Sequence, residues 1–176
     1  FGKIKHLANK TEGVTGTKGK STTPSLIYSI LKGAGKNVKI LGNIGNPMLE
    51  ALLEPIEKDE VFVLEISSYQ LDDIEFSPDI AVVTDLFPEH MDYHSGLENY
   101  YDAKKNIIKF QNKNNVFIYN PKNKKLCQWA EKATAKVVTF VKETFLNGVE
   151  LPLIGEHNKE NIRAAVAVAK ELNISD

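Results

Sequence analysis

The chain has 176 residues, of which 42% are hydrophobic and 26% are charged, and its formal net charge at pH 7 is −1. This length corresponds to about one domain, and the near-zero charge excludes a general attraction to nucleic acid or to an anionic membrane. The single cysteine, Cys127, excludes an internal disulfide and fits a reducing compartment, while the longest apolar runs are far too short to cross a bilayer.

A glycine-rich loop near the N-terminus is the first informative element. It follows a weak predicted strand at residues 12–15, in which Val14 is the only strong β former. In such a loop the backbone N–H groups point inward at phosphate oxygens, a lysine adds positive charge and a serine hydroxyl can bind Mg²⁺. The usual P-loop spacing would need glycine where this chain has Val14, so we predict a nucleotide phosphate loop of shifted spacing. Its residues are Gly16, Thr17, Lys18, Gly19, Lys20, Ser21 and Thr22.

Helices and strands are predicted to alternate along the rest of the chain. The helices are predicted at residues 20–34, 47–53, 97–110, 122–133 and 158–172. Further strands are predicted at residues 38–41, 61–66, 80–84, 116–119 and 136–140. Nearly all-apolar strands are typical of a parallel sheet that is buried on both faces. We therefore expect an α/β fold, with a three-layer, P-loop-type, mostly parallel sheet and helices on both faces.

Polar residues at the carboxyl ends of the strands are site candidates, because ligands of open α/β sheets bind there. Glu65 follows the apolar run Val61–Leu64 and is a natural Mg²⁺ ligand, since hard cations take oxygen donors. A surface glutamate that caps the next helix is the alternative. His90 and His94 share the loop after the strand at residues 80–84 with several acids. They would bind metal, transfer protons or simply be solvated.

Lys104 occupies an unusual position in the predicted helix at residues 97–110. It recurs with Leu97, Tyr100 and Ile107 at helical spacing, so it lies on the apolar stripe. One interpretation is a lysine that packs its stem and extends its ammonium to water. The other is a desolvated lysine with a lowered pKa, which can react as a neutral amine.

Two asparagines open the last predicted helix. Asn158 is a candidate N-cap, and Asn161, three residues later, lies on the same face. Amide side chains both donate and accept hydrogen bonds, which suits the edge of a nucleobase. Simple helix capping is the alternative interpretation.

These segments, taken in chain order, resemble the Mur ligase family over nearly the whole chain. The matching segments are residues 15–22, 42–45, 64–71, 90–92, 98–104 and 155–161. The run Glu-Ile-Ser-Ser-Tyr-Gln at residues 65–70 is similar to that of the members that add D-glutamate to UDP-N-acetylmuramoyl-L-alanine. The resemblance implies an ATP-dependent ligase of peptidoglycan precursor synthesis. Phosphorylation of the substrate carboxylate would give an acyl phosphate, which the amine of D-glutamate would attack.

The resemblance also implies residue roles. Lys20 and the loop amides would hold the β- and γ-phosphates of ATP. Ser21 and Glu65 would bind one Mg²⁺, and Glu65 and His90 a second, with Lys104 as its carbamylated ligand. Lys20, Glu65, His90 and Lys104 would thus be the catalytic residues.

The remaining implied roles concern the organic parts of the substrates. Asn158 and Asn161 would hold the adenine. The residues that would contact the muramoyl-alanine substrate are Asn43, Ser67, Gln70 and His90. The chain departs from the family pattern at Lys18, where asparagine is usual, and at Glu12, where the strand is usually apolar.

The expected extent is that of a central ATPase domain at residues 12–176, after a linker or the end of an N-terminal domain at residues 1–11. The uridine-nucleotide and amino-acid domains of the family do not fit in this length. We therefore expect a chain that binds Mg-ATP but is inactive alone. We expect the full-length ligase to be a monomer in the bacterial cytoplasm, with no nucleic acid or membrane partner.

Two other classes of function stay open at this stage. A P-loop kinase or NTPase would use Glu65 as its metal ligand but leaves Lys104 on an apolar stripe unexplained. A non-enzymatic nucleotide-binding module would bind ATP without turnover. Within the ligase family, folylpolyglutamate synthase is a further candidate, which the run Ser67-Ser68-Tyr69-Gln70 disfavours.

Overall fold

The protein is described from a computed structural model. The structure describes residues 10–45, 47–48, 50–53, 55–89, 92–148 and 155–174. These form one six-stranded sheet in which every pair of neighbouring strands is parallel. None of the helices within these residues is long and apolar enough to cross a membrane.

Strands and helices alternate along the chain, as the sequence predicts. The strands are β1 (Lys10–Thr15), β2 (Val38–Gly42), β3 (Val61–Glu65), β4 (Ile80–Val83), β5 (Val116–Tyr119) and β6 (Lys136–Thr139). The helices are α1 (Thr22–Gly33), α2 (Ser68–Asp72), α3 (Leu97–Lys109), α4 (Lys124–Ala130) and α5 (Glu156–Glu171). Short 3₁₀ turns lie at Glu50–Leu52 and Glu143–Leu146.

The first strand lies in the middle of the sheet. The strand order is β2-β3-β1-β4-β5-β6, so β1 pairs with β3 on one side and β4 on the other. Val14 is opposite Glu65 in β3 and Val82 in β4. Because all the strands run the same way, the segments that follow β1, β3 and β4 meet at one edge. That edge is where the chain changes direction across the sheet, the usual binding site of an open α/β fold.

Two apolar layers cover the two faces of the sheet. On one face the side chains of Phe62, Leu64 and Phe117 pack against α2, α3 and α4. On the other face Val14 and Val63 pack, with their neighbours, against α1 and α5. Burying an aliphatic or aromatic side chain of this size contributes about 1.5–3 kcal/mol. The predicted three-layer architecture is therefore confirmed.

Several predicted boundaries differ from the structure. Strand β1 begins at Lys10 rather than at residue 12, because its first residues pair with β3 at Val61 and Phe62. The predicted helix at residues 47–53 is only the 3₁₀ turn at Glu50–Leu52, and Asn46 and Leu49 lie outside the described residues. The short helix α2 was not predicted, although Ser67 and Gln70 form its capping box.

The prediction that Asn158 is an N-cap is wrong. Helix α5 begins at Glu156 and its N-cap is Gly155. The amide of Asn158 donates to the carbonyl oxygen of Gly155 at 3.0 Å, so Asn158 is already part of the first turn. Asn158 therefore lies inside the helix, one turn before Asn161.

Glu12 is a buried carboxyl group in the central strand. Its side chain is fully buried, and neither carboxylate oxygen has a hydrogen-bond partner within the described residues. Burial raises the pKa of Glu12 to about 8, against the opposing effect of Lys10 and with a smaller contribution from Asp79. At neutral pH the group is thus mainly the uncharged acid, which lets it replace the apolar residue that a central strand would otherwise carry.

We expect Glu12→Gln to flatten the pH dependence of stability. The pKa of Glu12 is about 8 in the folded protein and 4.5 in the unfolded chain. The contribution of this group to the free energy of unfolding is therefore complete below pH 4.5 and is lost as the pH rises toward about 8. The free energy of unfolding of the wild type should fall by up to about 1.4 kcal/mol per pH unit between about pH 5 and 7 because of Glu12. This decrease should be absent from the glutamine variant. Urea unfolding at these pH values measures the difference. Exposed Glu131→Gln is the control, and a wild-type slope in the Glu12 variant would contradict the prediction.

Candidate nucleotide and metal site

The glycine-rich loop after β1 presents free backbone donors. The amides of Lys18, Gly19, Lys20 and Ser21 have no hydrogen-bond acceptor within the described part of the chain. Helix α1 begins directly after them at Thr22, and the N-terminus of a helix carries a partial positive charge. Successive free amides at a helix start form a cradle for an anion. The structure thus contains the arrangement that the loop sequence predicts.

Two glycines let the loop approach its neighbours closely. Gly16 has φ +151°, and a Cβ there would lie 2.0 Å from Oγ1 of Thr84. Gly19 has φ +81°, and a Cβ there would lie 2.2 Å from Oδ1 of Asn161. Any larger residue at either position would therefore push the loop away from the end of β4 or from α5.

Thr17 joins the loop to two other elements. Its amide donates to the carbonyl oxygen of Asp85 at 2.8 Å. Its hydroxyl donates to the carbonyl oxygen of Phe87 at 3.1 Å and accepts from the amide of Phe87 at 2.9 Å. The hydroxyl of Tyr100 in α3 lies 2.8 Å from the same oxygen and, with that donor already used, is the donor to it. Thr17 therefore holds the loop in position, and its amide is not part of the free cradle.

Lysine side chains surround the loop. Nζ of Lys20 donates to the carbonyl oxygen of Thr17 at 2.6 Å, so it folds back over the loop. Nζ of Lys18 lies 5.8 Å from the ring centroid of Phe87. Both cations are next to the free amides, as expected for a site that receives phosphate groups.

Lys104 lies beneath the loop and is almost fully buried, with 1% of its side chain exposed. Nζ donates to the carbonyl oxygen of Gly16 at 2.9 Å and lies 3.4 Å from Oγ1 of Thr15. Burial, reinforced by the charge of Lys20, lowers the pKa of Lys104 to about 7, while Glu89 acts in the opposite direction. The ammonium of Lys104 is therefore buried and does not extend to water, and its reaction as a neutral amine stays a prediction.

Glu65 and Ser21 offer oxygen atoms that are not otherwise used. Glu65 ends β3, is 3% exposed, and its Oε2 is buried with no hydrogen-bond partner among the described residues. The hydroxyl of Ser21 likewise makes no hydrogen bond there. A buried carboxylate oxygen and a free hydroxyl at the same sheet edge suit Mg²⁺, which binds oxygen donors.

The second predicted metal site is only partly described. His90, one of its predicted ligands, lies outside the described residues. Within those residues there is no group of three or more His, Cys, Asp and Glu side chains that could hold a metal ion. The ligand set of Glu65, His90 and a carbamate on Lys104 stays a prediction.

A cavity of about 220 Å³ opens beside the loop. The side chains of Phe87 and Phe140 form part of its wall, and Asn120 and Asn161 line it with Lys18. Asn161 accepts from the Thr23 hydroxyl at 3.3 Å and donates to Oδ1 of Asn158 at 3.2 Å. An apolar wall with a few amide groups suits a flat, polar-edged base.

Most residues that line this cavity were not among the predicted site residues, and Phe87, Asn120 and Phe140 are examples. The rule that ligands bind at the carboxyl ends of strands would have selected Asn120, which directly follows β5. Phe140 was instead predicted as the last residue of a strand, and the structure places it just after β6. Asn158 is not among the residues that line the cavity, but it accepts a hydrogen bond from Asn161, which is.

The residues predicted to contact the second substrate lie at the same edge, after β2 and β3. Ser67 and Gln70 contact each other: the Gln70 amide donates to Oγ of Ser67 at 3.3 Å, and the Ser67 amide donates to Oε1 of Gln70 at 2.9 Å. Asn43 is exposed. The three side chains therefore face the open edge, and their predicted role stays a prediction.

Comparison with protein families matches the chain to the Mur ligase middle domain over residues 14–148. A UDP-N-acetylmuramoylalanine--D-glutamate ligase of Clostridium tetani is 37% identical, over 96% of this chain and 41% of the relative. The enzyme of that name from Clostridium acetobutylicum is 49% identical over 68% of this chain and 26% of its own length. The chain thus spans about two fifths or less of the length of these relatives.

Solved structures share the fold. MurF ligase from Thermotoga maritima in complex with ADP aligns with a TM-score of 0.79 at 19% identity, over 99% of this chain and 48% of that chain. MurF from Acinetobacter baumannii aligns with a TM-score of 0.75 at 22% identity, over 98% of this chain and 45% of that chain. At these identities the likeness establishes the arrangement of the sheet and helices, with no statement about ligands.

We expect Tyr100→Phe to destabilise the protein by about 1 kcal/mol, because it removes one buried hydrogen bond to Thr17. Urea unfolding measures the change. The matched control is Tyr101→Phe, since the hydroxyl of the half-buried Tyr101 makes no hydrogen bond within the described residues. Equal stability of the two variants would contradict the role given to the Tyr100 hydroxyl.

Proposed function

This chain belongs to the Mur ligase family, whose middle domain it contains, and on that premise we propose that it is the ATP-binding part of a ligase that adds D-glutamate to UDP-N-acetylmuramoyl-L-alanine. The relatives that match it over 96% of its length carry that activity in their names. The run at residues 65–70, which precedes and begins α2 at the open edge, supports the choice of D-glutamate among the family's amino acids.

The observation that carries the proposal is the burial of Lys104 under the phosphate loop. An amine with 1% exposure and a carbonyl partner at 2.9 Å has no structural need for a positive charge, and desolvation disfavours one. A kinase or a simple NTPase has no use for an amine in this place. In a ligase of this family, it is the group that would become a metal ligand.

Carbamylation would make that change. The uncharged amine of Lys104 attacks the carbon of CO₂, a new N–C bond forms and one proton leaves. The product is a carbamate anion, which has two oxygen donors where the amine had none. Carbamylation would thus convert a buried amine into an anionic oxygen ligand, like the carboxylate of Glu65.

The proposed reaction places the described residues in two groups. The free amides of the loop and Lys20 hold the β- and γ-phosphates of ATP, while Asn161 and the neighbouring cavity receive the adenine. Magnesium, held by Ser21 and Glu65 and at a second position by Glu65, His90 and the Lys104 carbamate, would neutralise the charge that develops during phosphoryl transfer.

Asn43, Ser67, Gln70 and His90 would orient the muramoyl-alanine carboxylate toward the γ-phosphate. The carboxylate oxygen attacks phosphorus, ADP leaves, and an acyl phosphate forms. The amine of D-glutamate then attacks the acyl carbon, phosphate leaves, and the amide is complete. The contribution of the protein is orientation and charge compensation, without a covalent enzyme intermediate.

The extent of the chain bears on where activity resides. Because it spans 41% of the relatives it matches, we propose that sites for the uridine nucleotide and for D-glutamate are completed by flanking domains. The chain alone would bind Mg-ATP and form no amide. The full-length ligase would work as a monomer in the bacterial cytoplasm.

We expect a carbamate on Lys104 that is detectable without any activity assay. Protein equilibrated with ¹³C-bicarbonate should show a carbamate carbon resonance, because the buried amine is uncharged in part near neutral pH. Lys104→Arg should remove the resonance. Lys105→Arg is the control, since Lys105 lies on the other side of the helix and should leave the resonance unchanged. A resonance that persists in the Lys104 variant would refute the assignment.

We expect the full-length ligase that contains this chain to form an acyl phosphate. With UDP-N-acetylmuramoyl-L-alanine and ATP, hydroxylamine should trap a hydroxamate, and addition of D-glutamate should divert it to the amide product. A kinase would phosphorylate a hydroxyl and give no hydroxamate. The 176-residue chain, assayed in parallel, should give no amide, and ligation by the chain alone would contradict the proposed division between domains.

A further inference from the structure

A second and larger cavity lies away from the phosphate loop, between α3 and the turn that follows α4. Its volume is about 460 Å³. On α3 it is lined by Asp102, Lys105, Asn106 and Lys109, which share one face of the helix. Lys104, by contrast, points from the same helix to the loop. The residues that line this cavity include none of the proposed ligase site.

The rim of this cavity is positively charged. Lys105, Lys109 and Lys132 line it with one acidic residue, Asp102. Within the described residues none of the three ammonium groups forms an ion pair. Nζ of Lys109 makes a cation–π contact, 5.3 Å from the ring centroid of Phe110. Elsewhere on α4 the lysine Lys125 is paired, with Glu98. Uncompensated cations around one concavity raise the local concentration of anions.

The floor of the cavity is apolar. Trp129 and Ile108 line it and are 4% and 8% exposed, and Ala133 lies beside them. Pockets of about 300–1,000 Å³ with apolar walls and a few polar groups are typical of small-molecule sites. An indole next to cations suits a ligand with a flat apolar body and an anionic end.

We propose that this cavity binds a small organic anion, with an apolar body against the wall that Trp129, Ile108 and Ala133 form and a carboxylate or phosphate group facing Lys105, Lys109 and Lys132. The volume of about 460 Å³ is that of a small-molecule site. The three unpaired ammonium groups favour a negatively charged ligand. The apolar floor favours an organic anion over an inorganic one. This site is independent of the proposed ligase reaction.

The chain contains its own reporter for this site, because Trp129 is the only tryptophan among its 176 residues. Its fluorescence is followed while the 176-residue chain is titrated with phenyl phosphate, benzoate, benzamide and inorganic phosphate. Phenyl phosphate and benzoate should cause a saturable change, and binding of the uncharged benzamide and of inorganic phosphate should be at least about tenfold weaker. The stronger of the two aromatic anions identifies the preferred head group. Equal responses to benzamide and benzoate, or no response to either anion, would overturn the proposal.

Charge-matched variants locate the binding. The double variant Lys105→Gln/Lys132→Gln should bind phenyl phosphate about tenfold more weakly, because it removes two of the three cations that face the anionic group. The control Lys113→Gln/Lys124→Gln removes the same charge from exposed positions outside the cavity. Thermal melts check that both variants fold. Equal affinity for phenyl phosphate in the two double variants would refute the assignment.

Discussion

The hydroxyl of Thr17 is the point on which the geometry of the nucleotide site depends. Around that single buried oxygen the loop after β1, the segment after β4 and helix α3 are joined by hydrogen bonds. Through this contact α3 is fixed against the loop, and its next turn brings Lys104 under Gly16. The donors of Thr17 thus attach the loop to the rest of the fold, while the amides of residues 18–21 stay free within the described part of the chain.

The central strand β1 contains one buried ionisable group, Glu12, and contacts another, Lys104. Burial favours the uncharged form of both. Glu12 lies on the face covered by α1 and α5, while Lys104 approaches Thr15 from the face covered by α3. The carboxyl pKa rises to about 8 and the amine pKa falls to about 7. Both shifts have the same main cause, which is that a charge inside this sheet has no water to solvate it. For Glu12 the result is a tolerated polar residue, and for Lys104 it is a buried amine of lowered pKa.

The sequence was sufficient for the features that depend on local pattern. The apolar stripe placed Lys104 on the core-facing side of its helix but left open whether the ammonium reaches water. The glycine spacing predicted the phosphate-type loop, because that follows from residues within one or two turns. The connections of Thr17 to Phe87 and Tyr100 span 70 and 83 residues and have no local signal. The N-cap of α5 was misplaced because asparagine is a common cap, whereas here Gly155 occupies that position. Phe140 was missed because it was predicted as the last residue of a strand, whereas β6 ends at Thr139.

The contact between Gly19 and Asn161 has a consequence for how the protein is made. The hydrogen bond from Thr23 to Asn161 joins residues that are 138 positions apart, and β1 pairs with strands that begin at Val61 and Ile80. Such non-local pairing makes folding slow compared with that of helical bundles, since long loops must close first. During synthesis the N-terminal loop leaves the ribosome long before α3 and α5 exist to hold it. The contacts of the loop with Asn161 can therefore form only after α5 has been synthesised.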